Sequence, residues 1–314
     1  MSGFKRACVA AACALFVFVA PAAAQVPPPL PTPFALVPIP IGVAATQNYV
    51  LVTQYDCSTI VQIDKDGLVT PFAALPTTNP ICEMYIAIAP HAQGQPFQAK
   101  HVFVVQGDRI WEIWPDGTQM QLFTTIPGLP PTHNGITFDR VGTFGYNMIV
   151  TASTGQVYEV FPDGSFTLIA TVPDFIEGPE VMPFEFGGPA AGQILVASEV
   201  TGTIWSVSSA GVVKPFSSYP AAEQVRFVPT HLCTFGESRA TLFTAIFPTE
   251  VDFYPKAAFQ PIEGQAIVTS EVGGGIGVLS NTGVAAPYSP DSRQHEGSSF
   301  VQSPGDACWT ANGS

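Results

Sequence analysis

Five turn glycines recur along the chain at nearly constant spacing, and this repeat restricts the possible folds more than any other feature. They stand at positions 67, 117, 164, 211 and 283, so their separations are 50, 47, 47 and 72 residues. Asp precedes three of them, and an Asp-Gly pair is typical of hairpin turns because glycine adopts positive φ at no steric cost. A repeat near 47 residues with room for four strands is the period of a β-propeller blade.

The copy at residues 177–216 shows the repeating unit most completely, with strands predicted to begin at Glu177, Ile194, Thr203 and Val212. The last interval is about one and a half blades long and contains further strand-like segments at 241–247 and 251–254. We therefore predict an all-β fold, a single six-bladed propeller with one incomplete blade. The C-terminal strand at 296–301 would close it by supplying the inner strand of the first blade, and five blades with an insertion is the alternative.

The N-terminus has the pattern of a cleaved signal peptide. Lys5 and Arg6 precede an apolar run at 7–20, and three alanines come before Gln25. We expect residues 1–24 to be removed by cleavage near Ala24-Gln25, which predicts a secreted or periplasmic protein; a retained anchor is the alternative. Residues 25–48 are Pro-rich and are predicted to form an extended N-terminal segment, with the propeller domain at 49–314.

The charge of the chain restricts its partners. Without Lys5 and Arg6, 9 basic residues face 24 acidic ones, a net charge of −15. This excess disfavours nucleic acid, anionic membranes and an anionic quinone cofactor, and it suits a small uncharged or cationic ligand. After residue 24, no run of about 18 apolar residues occurs, so no membrane insertion is expected. We expect a monomer.

Four cysteines remain after the predicted cleavage, and they favour two disulfides in an oxidising compartment. Their spacing lacks the close pairs that zinc sites need. Cys57 and Cys82 are predicted to lie on the same face of adjacent blades and to pair. Cys233 and Cys308 are predicted to pair on the opposite face; free or differently paired thiols are the alternative.

The predicted inner strands begin with a shared polar position, a Glu or Asn four residues before an apolar residue. These residues are 51, 43, 46 and 73 apart, which echoes the glycine spacing. Because inner strands converge on the channel, the side chains should face one another around its mouth. Converging carboxylates repel unless protons or a cation intervene, and oxygen ligands suit Ca²⁺ best, with Mg²⁺ or Mn²⁺ as alternatives. Solvated loop caps are the competing interpretation. We call these five residues the ring. The proposed ligands are Glu83, Asn134, Glu177 and Glu223, and the fifth member of the ring is Glu296.

Three residues are candidates for proton transfer. His133 and His295 immediately precede two ring members, and Glu296 is itself in the ring. Glu199 and Glu271 occupy matching positions after two predicted strands, and we interpret them as turn residues. The sequence contains no Gly-x-Ser-x-Gly, His-Glu-x-x-His or phosphate-binding glycine motif, which disfavours serine hydrolases, zincins and nucleotide-binding proteins.

The strand-turn unit at 155–164 and the strand starts Glu177-Gly178-Pro179 and Asn134-Gly135-Ile136 carry a family resemblance. Over most of the mature chain, the sequence resembles the senescence-marker-protein/gluconolactonase-like group of six-bladed propellers. The resemblance implies a divalent cation held by Glu83, Asn134 and Glu177, and hydrolysis of lactones or related esters. It does not extend to the Asn-Asp pair with which that family completes its ligand set. A non-catalytic extracellular binding propeller, with a structural ion or none, is the alternative function.

Overall fold

The computed structural model describes residues 29–76, 82–91, 96–236 and 239–302. These residues form six four-stranded antiparallel sheets, arranged as the blades of a propeller. The predicted six-bladed all-β fold is thus confirmed. All five predicted turn glycines have positive φ, between 73° and 82°.

The strands are numbered in chain order, beginning with β1 (Thr32–Leu36). Blade 1 contains, from the channel outward, β2 (Pro40–Ala45), β3 (Val50–Gln54), β4 (Thr59–Ile63) and β5 (Val69–Ala74). Blade 2 contains β6 (Tyr85–Ile88), β7 (Val102–Gln106), β8 (Arg109–Ile113) and β9 (Met120–Thr125). Blade 3 contains β10 (Ile136–Phe138), β11 (Met148–Thr151), β12 (Gln156–Val160) and β13 (Phe166–Thr171).

Blade 4 contains β14 (Glu177–Val181), β15 (Ile194–Ala197), β16 (Thr203–Val207) and β17 (Val213–Ser218). The remaining strands are β18 (Ala222–Phe227), β19 (Ala240–Phe247), β20 (Glu250–Pro255), β21 (Ala266–Ser270), β22 (Ile276–Leu279), β23 (Ala285–Ser289) and β24 (Gln294–Phe300). The described connections include α1 (Lys256–Phe259) and three single 3₁₀ turns, Phe184–Phe186, Gly188–Ala190 and Gln260–Ile262.

The last two blades are interleaved in the chain. Blade 5 has the order β18-β21-β22-β23, and blade 6 has the order β24-β19-β20-β1. The hairpin β19–β20 is therefore an excursion between the first two strands of blade 5, and it forms the middle of blade 6. This explains the long final interval between turn glycines, and no described blade is incomplete.

Two expectations about the chain ends need correction. The C-terminal strand β24 pairs with β19 and is the inner strand of blade 6, not of blade 1. The described part of the Pro-rich region, residues 29–48, is not an extension outside the propeller, because it supplies β1 and β2. Pro33 is tolerated in β1 because this strand lies at the outer edge of its sheet, where a missing N–H breaks no central ladder.

Burial falls from the channel outward within each blade. All of β2 and β3 is buried, β4 is mostly buried, and β5 is half-buried or exposed. The core therefore consists of apolar layers between neighbouring sheets, built on both faces of the inner strands.

The inner strands approach one another closely around the channel. A Cβ added to Gly42 would lie 2.7 Å from the carbonyl oxygen of Met84, and one added to Gly178 would lie 2.5 Å from the Cα of Gln224. A Cβ added to Gly297 would lie 2.9 Å from the Cα of Gly42, so blade 6 meets blade 1 in the same way. Together with the contact of Gly135 in blade 3 with Gly178 in blade 4, these contacts place the inner strands in a common register.

Cys57 and Cys82 form the predicted disulfide, with Cα atoms 5.0 Å apart, and join the mouth-side loops of blades 1 and 2. The predicted Cys233–Cys308 pair and the signal peptide involve Cys308 and residues 1–24, which lie outside the described residues. Among the helices that the structure does describe, none has the length and apolar character needed to cross a membrane.

Candidate metal centre at the channel mouth

The common register places the five predicted ring residues at equivalent points of five blades. Each stands directly before the position of close approach on its inner strand or on the loop that leads into it. The five are almost completely buried, with exposed fractions of 0 to 7%. The sixth equivalent position, in blade 1, is Ile41, which packs in an apolar cluster. The members in blade order are Ile41, Glu83, Asn134, Glu177, Glu223 and Glu296.

His133 lies between two ring carboxylates. Its Nδ1 is 2.5 Å from Oε2 of Glu83 and 2.7 Å from Oε1 of Glu177. Both distances suit an ion pair between a protonated His133 and the two carboxylates. The three ligand atoms lie within 4.8 Å of one another, so one ion could contact all three. With 26% of its side chain exposed, His133 is the most accessible of the three residues.

Each ring member other than Ile41 carries a buried oxygen that receives no hydrogen bond from the described residues. Buried oxygens of this kind are normally satisfied by a donor, water or a cation. Because the carboxylates and the amide offer hard oxygen ligands, a divalent cation fits this set. The oxygens are Glu83 Oε2, Asn134 Oδ1, Glu177 Oε1, Glu223 Oε2 and Glu296 Oε2.

The amide of Asn134 is oriented by the backbone. Its Nδ2 donates to the carbonyl oxygens of Pro130 at 2.7 Å and of Gly107 at 3.1 Å. Both donor hydrogens are thereby used, and Oδ1 is left as an acceptor with a fixed direction.

Burial and mutual repulsion shift the titration of the ring carboxyls. Burial raises the pKa of Glu177, Glu223 and Glu296 well above the usual value, and the charges of neighbouring glutamates add to the increase. Glu177 and Glu223 are within hydrogen-bonding reach of each other and can share a proton. Burial lowers the pKa of His133, but Glu83 and the charges of Glu199 and Glu223 raise it more. Without a cation, the site therefore retains protons.

Tyr85 is a site residue that the sequence did not indicate. Its buried hydroxyl donates a hydrogen bond to Oε1 of Glu223 across the channel. Burial raises the pKa of Tyr85, and the surrounding glutamate charges raise it further, so the hydroxyl stays protonated and acts as a donor. A large apolar or aromatic side chain is expected at this position of an inner strand, so the strand pattern did not mark Tyr85 as a site residue.

Glu199 and Glu271 are not simple turn residues. One carboxylate oxygen from each lies within 4.8 Å of the other and of a Glu223 oxygen. Burial raises the pKa of Glu199 to about 8, and the neighbouring Glu271 adds to the increase. Their matching positions after β15 and β21 are the signal that could have revealed this group.

The other two proton-transfer candidates are placed differently. Glu296 is in the ring, and its Oε1 accepts a hydrogen bond of 2.6 Å from Gln294. His295 is fully buried, with Nδ1 3.3 Å from Thr244 Oγ1 and Nε2 3.2 Å from Asp291 Oδ2. Because successive side chains of a strand point to opposite faces, His295 faces away from the carboxylate that follows it.

The far half of the channel contains a buried ion pair. Arg226 donates from Nη1 to Glu180 Oε2 at 3.0 Å and from Nε to the carbonyl oxygen of Ser298 at 2.9 Å. The guanidinium thereby connects blades 4, 5 and 6. Arg140 and this pair line a small cavity of about 40 Å³, so the two ends of the channel differ in chemistry.

Comparison with solved structures identifies the architecture. The chain superposes on the nidogen–laminin complex with a TM-score of 0.57 at 15% identity, covering 84% of this chain and 85% of that chain. Virginiamycin B lyase from Staphylococcus aureus gives 0.51 at 14% identity, over 81% and 73%. A proposed gluconolactonase gives 0.50 at 10% identity, over 84% and 83%.

The shared property is the β-propeller fold. At these identities the comparisons establish the fold and no activity. No protein-family model matches the chain, and no curated protein sequence matches it. Since the propellers it resembles include both enzymes and a component of a protein complex, the function has to be argued from the site itself.

Proposed function

We propose that the protein binds a divalent cation at the channel mouth and uses it to hydrolyse a lactone or a related ester. The observation that carries the proposal is the set of five buried ring oxygens that accept no hydrogen bond, two of which lie beside Nδ1 of His133. Carboxylates and an amide oxygen form a donor set that suits Ca²⁺, with Mg²⁺ or Mn²⁺ as alternatives. Glu83 and Glu177 would be the primary ligands, supported by Asn134 and Glu223.

A cation bound at this position supplies Lewis-acid polarisation of a carbonyl oxygen and activation of water. The residues of the chain then provide proton transfer and exclusion of solvent. His133 is the candidate proton acceptor because it is partly exposed and the neighbouring Glu83 carboxylate raises its pKa, which makes it a stronger base. Glu296 is buried and held by Gln294, which suits a ligand or positioning residue better than a proton shuttle. His295 has no part in this scheme because it faces away from the ring.

The acidic mouth also selects the substrate. Carboxylates from four blades repel anions, so uncharged or cationic esters are favoured over free acids. A secreted or periplasmic location is part of the proposal, and the Cys57–Cys82 disulfide supports it, since disulfides persist in oxidising compartments.

The experiment that tests this proposal is hydrolysis of a lactone and ester panel by chelator-treated protein resupplied with Ca²⁺, Mg²⁺, Mn²⁺ or Zn²⁺. We expect cation-dependent turnover that falls about 10²- to 10⁴-fold in His133→Gln, the range for loss of a general base. Glu185→Gln, on an exposed 3₁₀ turn, is the matched control and should be fully active. No turnover with any ion would contradict the hydrolase assignment.

A non-catalytic binding propeller with a structural ion is the second candidate. It is favoured by the burial of Glu177, Glu223 and Glu296, which are at most 1% exposed. In that case no lactone or ester of the panel would be hydrolysed, and Glu83→Gln would lower the melting temperature of the protein.

A further inference from the structure

A second group of carboxylates lies beside the proposed ion site. Glu223 is on inner strand β18, Glu199 follows β15, and Glu271 follows β21. One carboxylate oxygen of each lies within 4.8 Å of those of the other two. The group bridges blades 4 and 5 and lies on the mouth side of the ring, since Glu199 and Glu271 belong to the turns that face the solvent.

Glu223 gives this group a feature that a solvated acidic cluster lacks. Its side chain is fully buried, Oε1 accepts the hydroxyl hydrogen of Tyr85, and Oε2 receives no hydrogen bond from the described residues. An acceptor fully withdrawn from solvent needs a positive or hydrogen-bonding partner. Glu199 and Glu271 cannot supply that partner as carboxylates, because ionised carboxylates only accept hydrogen bonds.

The surrounding contacts hold the group in position. Gln294 donates from Nε2 to Glu271 Oε1 at 3.1 Å and to Glu296 Oε1 at 2.6 Å. This amide therefore orients one carboxylate of the outer group and one of the ring together. On the other side, the contact between Glu177 and Glu223 places the two groups next to each other.

We propose that Glu199, Glu223 and Glu271 bind a second divalent cation, adjacent to the one held by Glu83 and Glu177. The second donor set is all oxygen, which selects a hard ion such as Ca²⁺ over softer metals. Glu199 and Glu271 are half-buried, so this ion would exchange with solvent more readily than the inner one. The inference rests on the proposed cation binding at the channel mouth, and it does not depend on hydrolysis.

The test is the stoichiometry of Ca²⁺ binding to purified, chelator-treated protein, measured by equilibrium dialysis and elemental analysis. We expect two Ca²⁺ per chain for the unaltered protein and for the control Glu185→Gln. The double variant Glu199→Gln/Glu271→Gln should bind one. Glutamine keeps the shape of the side chain, and circular dichroism melting of each variant, and of single Glu271→Gln, checks that it folds.

One Ca²⁺ in both the unaltered protein and the double variant would overturn the second site and leave the first intact. One Ca²⁺ in the unaltered protein and none in the double variant would also overturn the inference. A single ion would then be bound by residues of the ring and of the outer group together. No ion at all would overturn both cation sites. Two ions without hydrolysis would support this inference while contradicting the proposed hydrolase.

Discussion

The hydroxyl of Tyr85 in blade 2 donates a hydrogen bond to the carboxylate of Glu223 in blade 5, directly across the channel. Both side chains are buried, so neither has access to bulk water. This contact fixes one oxygen of Glu223. The other oxygen of that carboxylate is left for a cation or a shared proton.

Replacing Tyr85 with Phe should destabilise the protein by about 1–3 kcal/mol, because a buried acceptor loses its donor. The measurement is urea unfolding in the presence of a chelator. Tyr49→Phe is the matched control, since the Tyr49 hydroxyl makes no hydrogen bond with the described residues and lies on the opposite face. Equal midpoints for the two variants would contradict the role given to Tyr85.

The cation-free protein should lose stability as the pH rises. The pKa of Glu199 is raised from 4.5 to about 8, and those of Glu177, Glu223 and Glu296 are also raised by burial. The folded state therefore holds more of these protons than the unfolded state. The stability that these groups contribute is fully present below pH 4.5 and is lost toward pH 8. The raised pKa of His133 acts in the same direction.

Urea unfolding at several pH values, with chelator and with saturating Ca²⁺, measures this dependence. We expect a clear fall in the free energy of unfolding with chelator. With Ca²⁺ the fall should be much smaller, because the cation replaces the protons. Stability that rises with pH in chelator would contradict the assignment of raised pKa values to the ring.

Much of the ring could be predicted because a repeat transfers information between blades. The register of Glu177 with Glu83, Asn134, Glu223 and Glu296 followed from spacing alone, and the inner strands do meet in that register. The ring position of blade 1 could not be predicted in this way. It is occupied by Ile41, and the shared feature of the other five positions is a polar side chain.

Other features depend on which distant strands pair and which distant side chains meet, and the spacing of residues in the sequence does not predict this. The hairpin β19–β20 leaves blade 5 before that blade is complete, so the length of the interval suggested either an incomplete blade or an insertion. The direction of His295 was available from strand alternation, since it is adjacent to Glu296 and must face the other way. Glu199 and Glu271 were visible as matching positions, but their meeting with Glu223 required the three-dimensional fold.

Gly135→Ala should destabilise the protein by about 1–3 kcal/mol, the usual cost of overpacking. Its new Cβ would lie 2.3 Å from Cδ of Pro179 and 2.5 Å from Oγ1 of Thr151. The strain acts next to Asn134, so Ca²⁺ affinity should fall as well. Gly128→Ala meets no atom within 4 Å, but its φ of +91° strains an alanine, so it is a control for Ca²⁺ affinity and not for stability. Calorimetric titration should show unchanged Ca²⁺ affinity for it. Equal affinities in both variants would contradict the close-approach register.

Arg226→Met should destabilise the protein by about 3–5 kcal/mol, because it leaves the Glu180 carboxylate buried without its partner. The double variant Arg226→Met/Glu180→Met should recover a large part of that loss. Recovery should be incomplete, because the carbonyl oxygen of Ser298 also loses a donor. Denaturant unfolding of the two single variants and the double variant measures the coupling, and additive effects would contradict the ion pair.

The central claim is that the acidic ring binds a divalent cation, and Ca²⁺-dependent melting of chelator-treated protein tests it most directly. We predict that the melting temperature rises with Ca²⁺ concentration, with about 2.7 kcal/mol of stabilisation at 100 times the dissociation constant. Glu83→Gln/Glu177→Gln should show a clearly smaller rise, because only the group Glu199, Glu223 and Glu271 is left to bind Ca²⁺. Glu185→Gln should behave as the unaltered protein. A melting temperature of the unaltered protein that is independent of Ca²⁺, Mg²⁺ and Mn²⁺ would contradict the claim.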